Sequence, residues 1–348
     1  MTTARTSEPP SAVGGPAGAG RVSVIVPVRG GGDAFRVCMA RLSACQPPPG
    51  EIIVVIDGGR EGAARRDEAA GARVIALDAP SGPAAARNAG ARAACGNVLL
   101  FVDSDVAVRP DLAGRVAAAF DADPDLAALM GSYDDEPADR RFLSQYRNLL
   151  HHYVHQTGRE EASTFWCGCG AIRRDAFLES GGFDPGFSGA MIEDIEFGYR
   201  LRAAGRRIRL RKDLQVTHLK RWTAWSMLRT DVFSRAVPWT RLVLRSRVMP
   251  DDLNLRRGAR ASVALAAALA ASLAWAAWQP WSLAAAAAAA AGILALNAGF
   301  YRFLWRKRGP RFAVAAVPWH WLYFACAGTG FLIGAGLEAA AAIRAAWR

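Results

Sequence analysis

Cysteine is scarce in this chain, with six among 348 residues. Cys38, Cys45, Cys95, Cys167, Cys169 and Cys326 are too scattered for a disulfide framework. Cys167-Gly168-Cys169 has no usual zinc spacing, and no second Cys or His pair answers it, so the expectation is reduced thiols in a cytosolic compartment. Residues 1–20 are rich in Pro, Gly and Ala but hold no apolar core of the kind a signal peptide needs, and they read as a disordered tail. Acids are short in one place. Between Arg200 and Arg260 only Asp213, Asp231, Asp251 and Asp252 face 17 Lys and Arg residues. That stretch carries +13 against +12 for the whole chain, so the remainder is close to neutral. The imbalance calls for an anionic partner: nucleic acid, anionic lipid or a phosphorylated substrate.

What is present argues for a large core. Hydrophobic residues are 52% and charged ones 21% of the chain, which excludes wholesale disorder, and the length suits two domains or one with an appendage. From Arg21 onward, short apolar runs alternate with Ala-rich stretches. Val22–Val28, Glu51–Asp57, Arg73–Leu77 and Asn97–Asp103 are predicted as buried strands. Ala34–Ala44, Ala63–Ala70, Pro83–Ala94 and Pro110–Asp121 are predicted as helices. This alternation implies an α/β domain over 21–220 with a largely parallel sheet. Ligands in such sheets bind beyond the carboxyl ends of the strands, where Asp57 and Asp103 fall.

After Ala259 the texture changes. Ala261–Trp278 has no charge, and Trp281–Phe300 contains eight consecutive alanines at 284–291. A third apolar stretch runs from Phe312 to Ala342, broken by His320 and Glu338, and can be one span or a helical hairpin. Spans are expected at about 261–278, 281–301 and 312–336, with Trp275, Trp278, Trp281 and Tyr301 as an interfacial belt. Arg256, Arg257 and Arg260 precede the first span, and Arg302, Arg306, Lys307, Arg308 and Arg311 follow the second. Both flanks are therefore expected in the cytoplasm, with the α/β domain on the same side of a multi-pass membrane protein. Residues 221–260 form a basic juxtamembrane segment. Its arginines lie beside apolar spans and tryptophans, which anionic lipid explains more simply than nucleic acid, so no nucleic-acid partner is expected.

Three segments carry chemistry. Leu99–Asp105 is an apolar strand delivering Asp103 and Asp105 to a sheet edge; residues i and i+2 of a strand share a face, where both can meet one hard cation. The alternative is an Asp-rich turn at a strand end. Glu193 and Asp194 open a helix, which suits either the helix dipole or a carboxylate poised as general base. Ser81–Gly90 begins with a Gly-Pro turn and places Arg87 and Asn88 on the first turns of a helix, suited to a phosphate or carboxylate partner or to plain solvation.

Taken in order, these pieces resemble the family 2 glycosyltransferases of the GT-A fold. The resemblance runs from Val22 to about Trp222. It includes Val24-Ile25-Val26-Pro27-Val28, Ile53–Gly59, Ala86-Arg87-Asn88-Ala89-Gly90 and Asp103-Ser104-Asp105. Gly168–Arg173 leading to Gly181-Gly182-Phe183-Asp184, and then Glu193-Asp194, complete it. The resemblance implies inverting transfer of a sugar from a nucleotide-diphosphate donor, assisted by Mg²⁺ or Mn²⁺. It implies that Pro27, Asp57, Arg87, Asn88 and Asp103 line the nucleotide-sugar pocket and that Asp103 and Asp105 hold the metal and diphosphate. Asp194 is then the catalytic base, with Glu193 beside it.

The chain departs from the processive members at His218-Leu219-Lys220-Arg221-Trp222, where His218 stands in place of a Gln. The resemblance then implies His218 as a third metal ligand, and Arg221 and Trp222 near the diphosphate or acceptor. Trp222 is expected either to stack on an acceptor sugar or to sit at the membrane interface. The expected activity is transfer to a hydroxyl of a lipid or lipid-linked acceptor, or of a glycan, on the cytoplasmic face of the inner membrane, in cell-envelope assembly. A processive polysaccharide synthase subunit is the alternative, separated from it by product length.

Overall fold

The computed structural model describes residues 21–58, 68–69, 71–187 and 189–347. The expected N-terminal tail, and most of the helix expected over Ala63–Ala70, lie outside the described residues. Eight strands form the described sheet: β1 (Val22–Val28), β2 (Glu51–Ile56), β3 (Arg73–Ala76), β4 (Val98–Val102), β5 (Val106–Ala107), β6 (Leu126–Tyr133), β7 (Cys169–Arg173) and β8 (Arg207–His218). Their order is β3-β2-β1-β4-β7-β6-β8-β5. Helices α1 (Asp33–Ser43), α2 (Gly82–Ala93), α3 (Leu112–Ala122), α4 (Phe142–Thr157), α5 (Arg174–Glu179) and α6 (Glu193–Ala203) join them. Up to α3, the described elements other than β5, which no apolar run signals, begin and end within two residues of their expected bounds.

Every residue of β1 and of β4 is buried. That is the signature of a sheet covered on both faces, and the alternation of side chains sorts the two covers. Ile25 and Phe101 face Ala84, Ala86 and Ala91 of α2 and Leu149 of α4. Val24, Val26, Leu100 and Val102 face Phe35 and Met39 of α1 and Val116 and Phe120 of α3. Gly90 lets α2 approach closely, since a Cβ there would run into the Ile25 side chain.

The sheet is mixed where a largely parallel one was expected. β1, β2, β3 and β4 run parallel to one another, and β6 runs parallel to β8. β7, however, enters antiparallel between β4 and β6, and β5 pairs antiparallel with the end of β8. A run of apolar residues signals a buried strand but carries nothing about its direction. The chain steps from β1 outward to β2 and β3, then back across β1 to β4, so the switch point lies between β1 and β4. There β4 leaves β1 after Ile25, and Pro27 occupies the part of β1 whose ladder on that side has opened.

Beyond β8 come α7 (Ala224–Arg229), a wider π-helical stretch over Thr230–Ala236, and α8 (Val237–Ser246). Four longer elements follow: α9 (Arg257–Trp275), α10 (Ser282–Leu296), α11 (Ala298–Arg308) and α12 (Pro310–Ala346). Helices α9 and α12 are long and apolar enough to cross a membrane, and α10 with α11 qualify as a pair bent by 64°. The last apolar stretch is a single helix of 37 residues, with Pro318 inside it, and not a hairpin.

Candidate active site

The carboxyl ends of β1, β2 and β4 supply the first group of residues. Asp57 follows β2 and is buried; its carboxylate accepts from the backbone N–H groups of Ser81 (2.6 Å) and Gly82 (3.1 Å). It thereby caps α2 from across the sheet, where the helix dipole favours an anion. Seated in this way, α2 presents Arg87 and Asn88, both buried. The Asn88 amide donates to the Phe183 carbonyl (2.7 Å) and accepts from the Phe183 N–H (2.9 Å). Asn88 thus holds the Gly181–Asp184 segment in place. Gly182, at φ +70°, has room for no Cβ beside the Asn88 oxygen, so glycine is required there.

Arg87 ties the centre together. Its Nη2 donates to Asp103 Oδ1 at 2.7 Å and its Nη1 to Glu193 Oε1 at 2.8 Å. Glu193 also accepts from the Met191 N–H at 2.9 Å. Asp194, on the first turn of α6, accepts from the Cys167 N–H at 3.2 Å. Burial and the neighbouring Glu193 charge push the Asp194 carboxyl up to about 7, with Arg87 pulling the other way. The Cys167 thiol among the same acids is pushed far up by burial, so it stays protonated.

Asp103 and Asp105 do not share a strand face. β4 ends at Val102, and the Val106 N–H donates to the Asp103 carbonyl at 3.1 Å, closing a turn. The turn sends the two carboxylates to different partners: Asp103 to Arg87, Asp105 to His218. The short β5–β8 pairing brings Val106 opposite His218, and Asp105 Oδ2 lies 3.8 Å from His218 Nε2. Burial opposes ionisation of Asp105, but His218 and Lys220 outweigh it and hold the carboxyl below its ordinary range.

Two carboxylates and an imidazole are the donor types that suit Mn²⁺ or Mg²⁺. Among the described residues, no three such side chains are gathered closely enough to hold an ion. Asp103 nonetheless commits only Oδ1 to Arg87, leaving Oδ2 without a hydrogen-bond partner among the described residues. Asp103, Asp105 and His218 thus offer donor types that suit a divalent cation, without being gathered into a ligand set.

Trp222 departs from both expectations. It is 7% exposed, open neither to a sugar nor to lipid. Its backbone N–H donates to Ser144 Oγ at 2.8 Å, and its ring lies 4.5 Å from the Lys220 ammonium and 5.3 Å from the Arg147 guanidinium. Arg221 beside it is exposed.

Several neighbours escaped the sequence reading. The His218 ring stacks on Tyr133 with centroids 4.2 Å apart, and Tyr133 packs on His151 and Trp166. His155 adds to this wall, 4.1 Å from His151. Burial keeps both histidines neutral, His155 at about 4. Arg235, in the π-helical stretch, is close enough to depress both further, and burial lowers its own affinity for a proton. It has no hydrogen-bond acceptor among the described residues. The His151-His152-x-x-His155 spacing was the one readable hint of this wall, since it puts His151 and His155 on one helix face.

Residues 23–181 match the sequence profile described as "Glycosyl transferase family 2". The chain is 28% identical over 220 residues to the pre-mycofactocin glycosyltransferase of Mycobacterium tuberculosis; the match covers 58% of this chain and spans 44% of that protein's length. In fold it is similar to the mannosyltransferase PcManGT of Pyrobaculum calidifontis, solved with GDP-Man and Mn²⁺, with a TM-score of 0.53 and 17% identity over 90% of this chain and 87% of that one. With its mixed sheet and its acids at the switch point, the segment over residues 23–181 matches a family 2 glycosyltransferase domain, and its fold is GT-A-like.

Proposed function

We propose that this chain is a membrane-tethered, inverting glycosyltransferase. It moves a sugar from a nucleotide-diphosphate donor to a hydroxyl of a lipid or lipid-linked acceptor on the cytoplasmic face. The observation that carries the reading is Asp194, a carboxylate raised to about 7 beside the Arg87–Asp103–Glu193 cluster at the switch point of the sheet. A base whose proton affinity lies near the working pH takes a proton effectively without being masked by one.

The acceptor hydroxyl gives its proton to Asp194 as its oxygen forms a bond to the anomeric carbon. The bond from that carbon to the diphosphate oxygen breaks on the opposite face, and the nucleoside diphosphate leaves with the electron pair. Configuration inverts because attack and departure are in line. Glu193 and Arg87 hold Asp194 in a fixed electrostatic setting, and Asp57 and Asn88 fix the helix and loop that frame the donor. Mg²⁺ or Mn²⁺, held by Asp103, Asp105 and His218, would neutralise charge developing on the departing diphosphate. The acceptor side of the reading is supported by the long apolar helices, the exposed Trp275, Trp278 and Trp281, and the basic segment between domain and helices.

Incubation of the purified chain with radiolabelled nucleotide sugars and a bacterial lipid extract tests this reading. Label is expected to enter the lipid fraction as a product one sugar larger than the acceptor. A ladder of products would support a processive synthase, and no transfer from any donor would contradict the proposal.

A further inference from the structure

The contacts of α12 are not those of a spanning helix. Its buried positions Ala313, Ala316, His320, Phe324, Cys326, Gly330 and Gly334 recur every two to four residues and form a stripe along the helix. The stripe is occupied along its length. Near the start, Phe312 packs on Phe142 of α4, ring centroids 4.9 Å apart. His320 Nδ1 lies 3.1 Å from the Tyr301 hydroxyl of α11, and the Tyr323 hydroxyl donates to Asn254 at 3.3 Å. Farther on, Gly330 lies against Ala236 and Gly334 against Thr240, too close for a Cβ at either glycine. At the far end, Glu338 accepts from Arg241 Nε (2.6 Å) and Arg245 Nε (3.0 Å), both on α8.

Phe312 and Glu338 stand about 39 Å apart along the helix. That exceeds the ~30 Å hydrocarbon core, so a spanning α12 would put them on opposite sides. Yet Phe142 belongs to the catalytic domain, and α8 is tethered to it at both ends. Before α8, Asp231 pairs with Arg147 of α4; after it, Asp252 accepts from the Arg159 N–H at 3.1 Å. A cluster of two arginines and a glutamate is also costly in hydrocarbon. The contacts of α9 with α12 gather in the first half of α9, at Val263 beside Gly328 and Ala266 beside Phe324. Beyond that crossing, α9 and α10 pack on each other and end in Trp275, Trp278 and Trp281, all exposed.

We infer that α12 lies in the plane of the leaflet facing the catalytic domain, and that only the hairpin of α9 with the bent α10–α11 pair crosses the bilayer. The inference rests on the membrane-tethered reading above. Acyl chains cover the outward side of α12, where Val314, Leu322, Phe331, Leu332 and Leu337 are exposed, Leu332 at 72%. The rim of Arg241, Arg245 and Arg311 meets anionic headgroups. The segment after α12 then stays on the side of the catalytic domain.

The test is labelling of the full chain in intact cells with a membrane-impermeant maleimide. Cys95, the one exposed native cysteine, is first changed to Ser. Gln279→Cys at the hairpin tip is expected to label from outside, and Ala345→Cys only after permeabilisation. Nitroxides on Val314→Cys, Leu322→Cys and Leu332→Cys, in phosphatidylethanolamine–phosphatidylglycerol vesicles, are expected to report one shallow depth. Outside labelling of Ala345→Cys, or a depth profile that deepens at Leu322 and returns, would overturn the inference while leaving the tether intact. Shielding of all three nitroxides from both oxygen and aqueous nickel would mean a second copy covers the face, and would also overturn it. Failure of Gln279→Cys to label from outside, or recovery of the protein in the soluble fraction, would remove the tether itself and the inference with it. Sugar transfer by the Cys95→Ser chain is read separately, so loss of the catalytic reading is distinguishable from loss of this one.

Discussion

Arg87 Nη1 donates to Glu193 Oε1 at 2.8 Å, joining two side chains 106 residues apart, both about 5% exposed. Few contacts in the domain bind distant sequence so tightly, and the same guanidinium reaches Asp103. Breaking a buried pair by removing one partner leaves an uncompensated charge, at roughly 3–5 kcal/mol. Arg87→Met is therefore expected to lower unfolding free energy by about that amount, read from urea denaturation. Arg87→Lys, which has no fork to reach both acids, is expected to fall between the two.

The proton affinity of Asp194 sets a pH profile. The base works as a carboxylate, so the transfer rate is expected to fall as pH drops through about 7. Burial raises this carboxyl first and the Glu193 charge second. Glu193→Gln removes the second cause, and the acid limb of kcat is then expected to move to lower pH. A limb that stays in place would show that Glu193 does not tune the base.

A buried fork also joins the α/β domain to the π-helical stretch before α8. Arg147 Nη2 and Nη1 donate to the two oxygens of Asp231, at 2.6 and 3.0 Å. Asp231→Ala is expected to cost about 3–5 kcal/mol, and the double variant Arg147→Met/Asp231→Leu much less, because two apolar groups need no counter-charge. Thermal denaturation of the two variants against the wild-type chain measures this.

The metal role proposed for Asp103, Asp105 and His218 makes sugar transfer metal-dependent. Dialysis against a chelator is expected to abolish sugar transfer, and Mn²⁺ or Mg²⁺ to restore it. Asp105→Asn and His218→Ala are each expected to raise the metal concentration for half-maximal rate. Full activity in the chelated enzyme would exclude the role given to Asp103, Asp105 and His218.

Much of the fold, and the placement of the candidate site residues, was legible in the sequence for physical reasons. Val22–Val28 and Val98–Val102 are runs of residues that pack well on a pleated surface, and such runs announce buried strands. Asp57, Asp103, Glu193 and Asp194 stand at element ends and Arg87 inside α2, where motif order alone picks them out. Partnership was not legible. Nothing periodic links Arg87 to Glu193, His218 to Tyr133 or Arg147 to Asp231, since each contact is made by the tertiary fold. The turn at Asp103–Asp105 overrode the alternation expected of a strand. Trp222 was misplaced because a tryptophan beside basic residues looks the same in sequence whether a sugar or an arginine covers its ring. The continuity of α12 through Pro318 depends on the packing of its stripe, which hydropathy does not see.

The central claim is that Asp194 takes the acceptor's proton. Single-turnover transfer of labelled sugar by the wild-type chain and by Asp194→Asn, with donor binding measured alongside, tests it most directly. The account predicts unchanged donor affinity and a rate lower by roughly 10²- to 10⁴-fold for Asp194→Asn. Wild-type transfer by Asp194→Asn would contradict it.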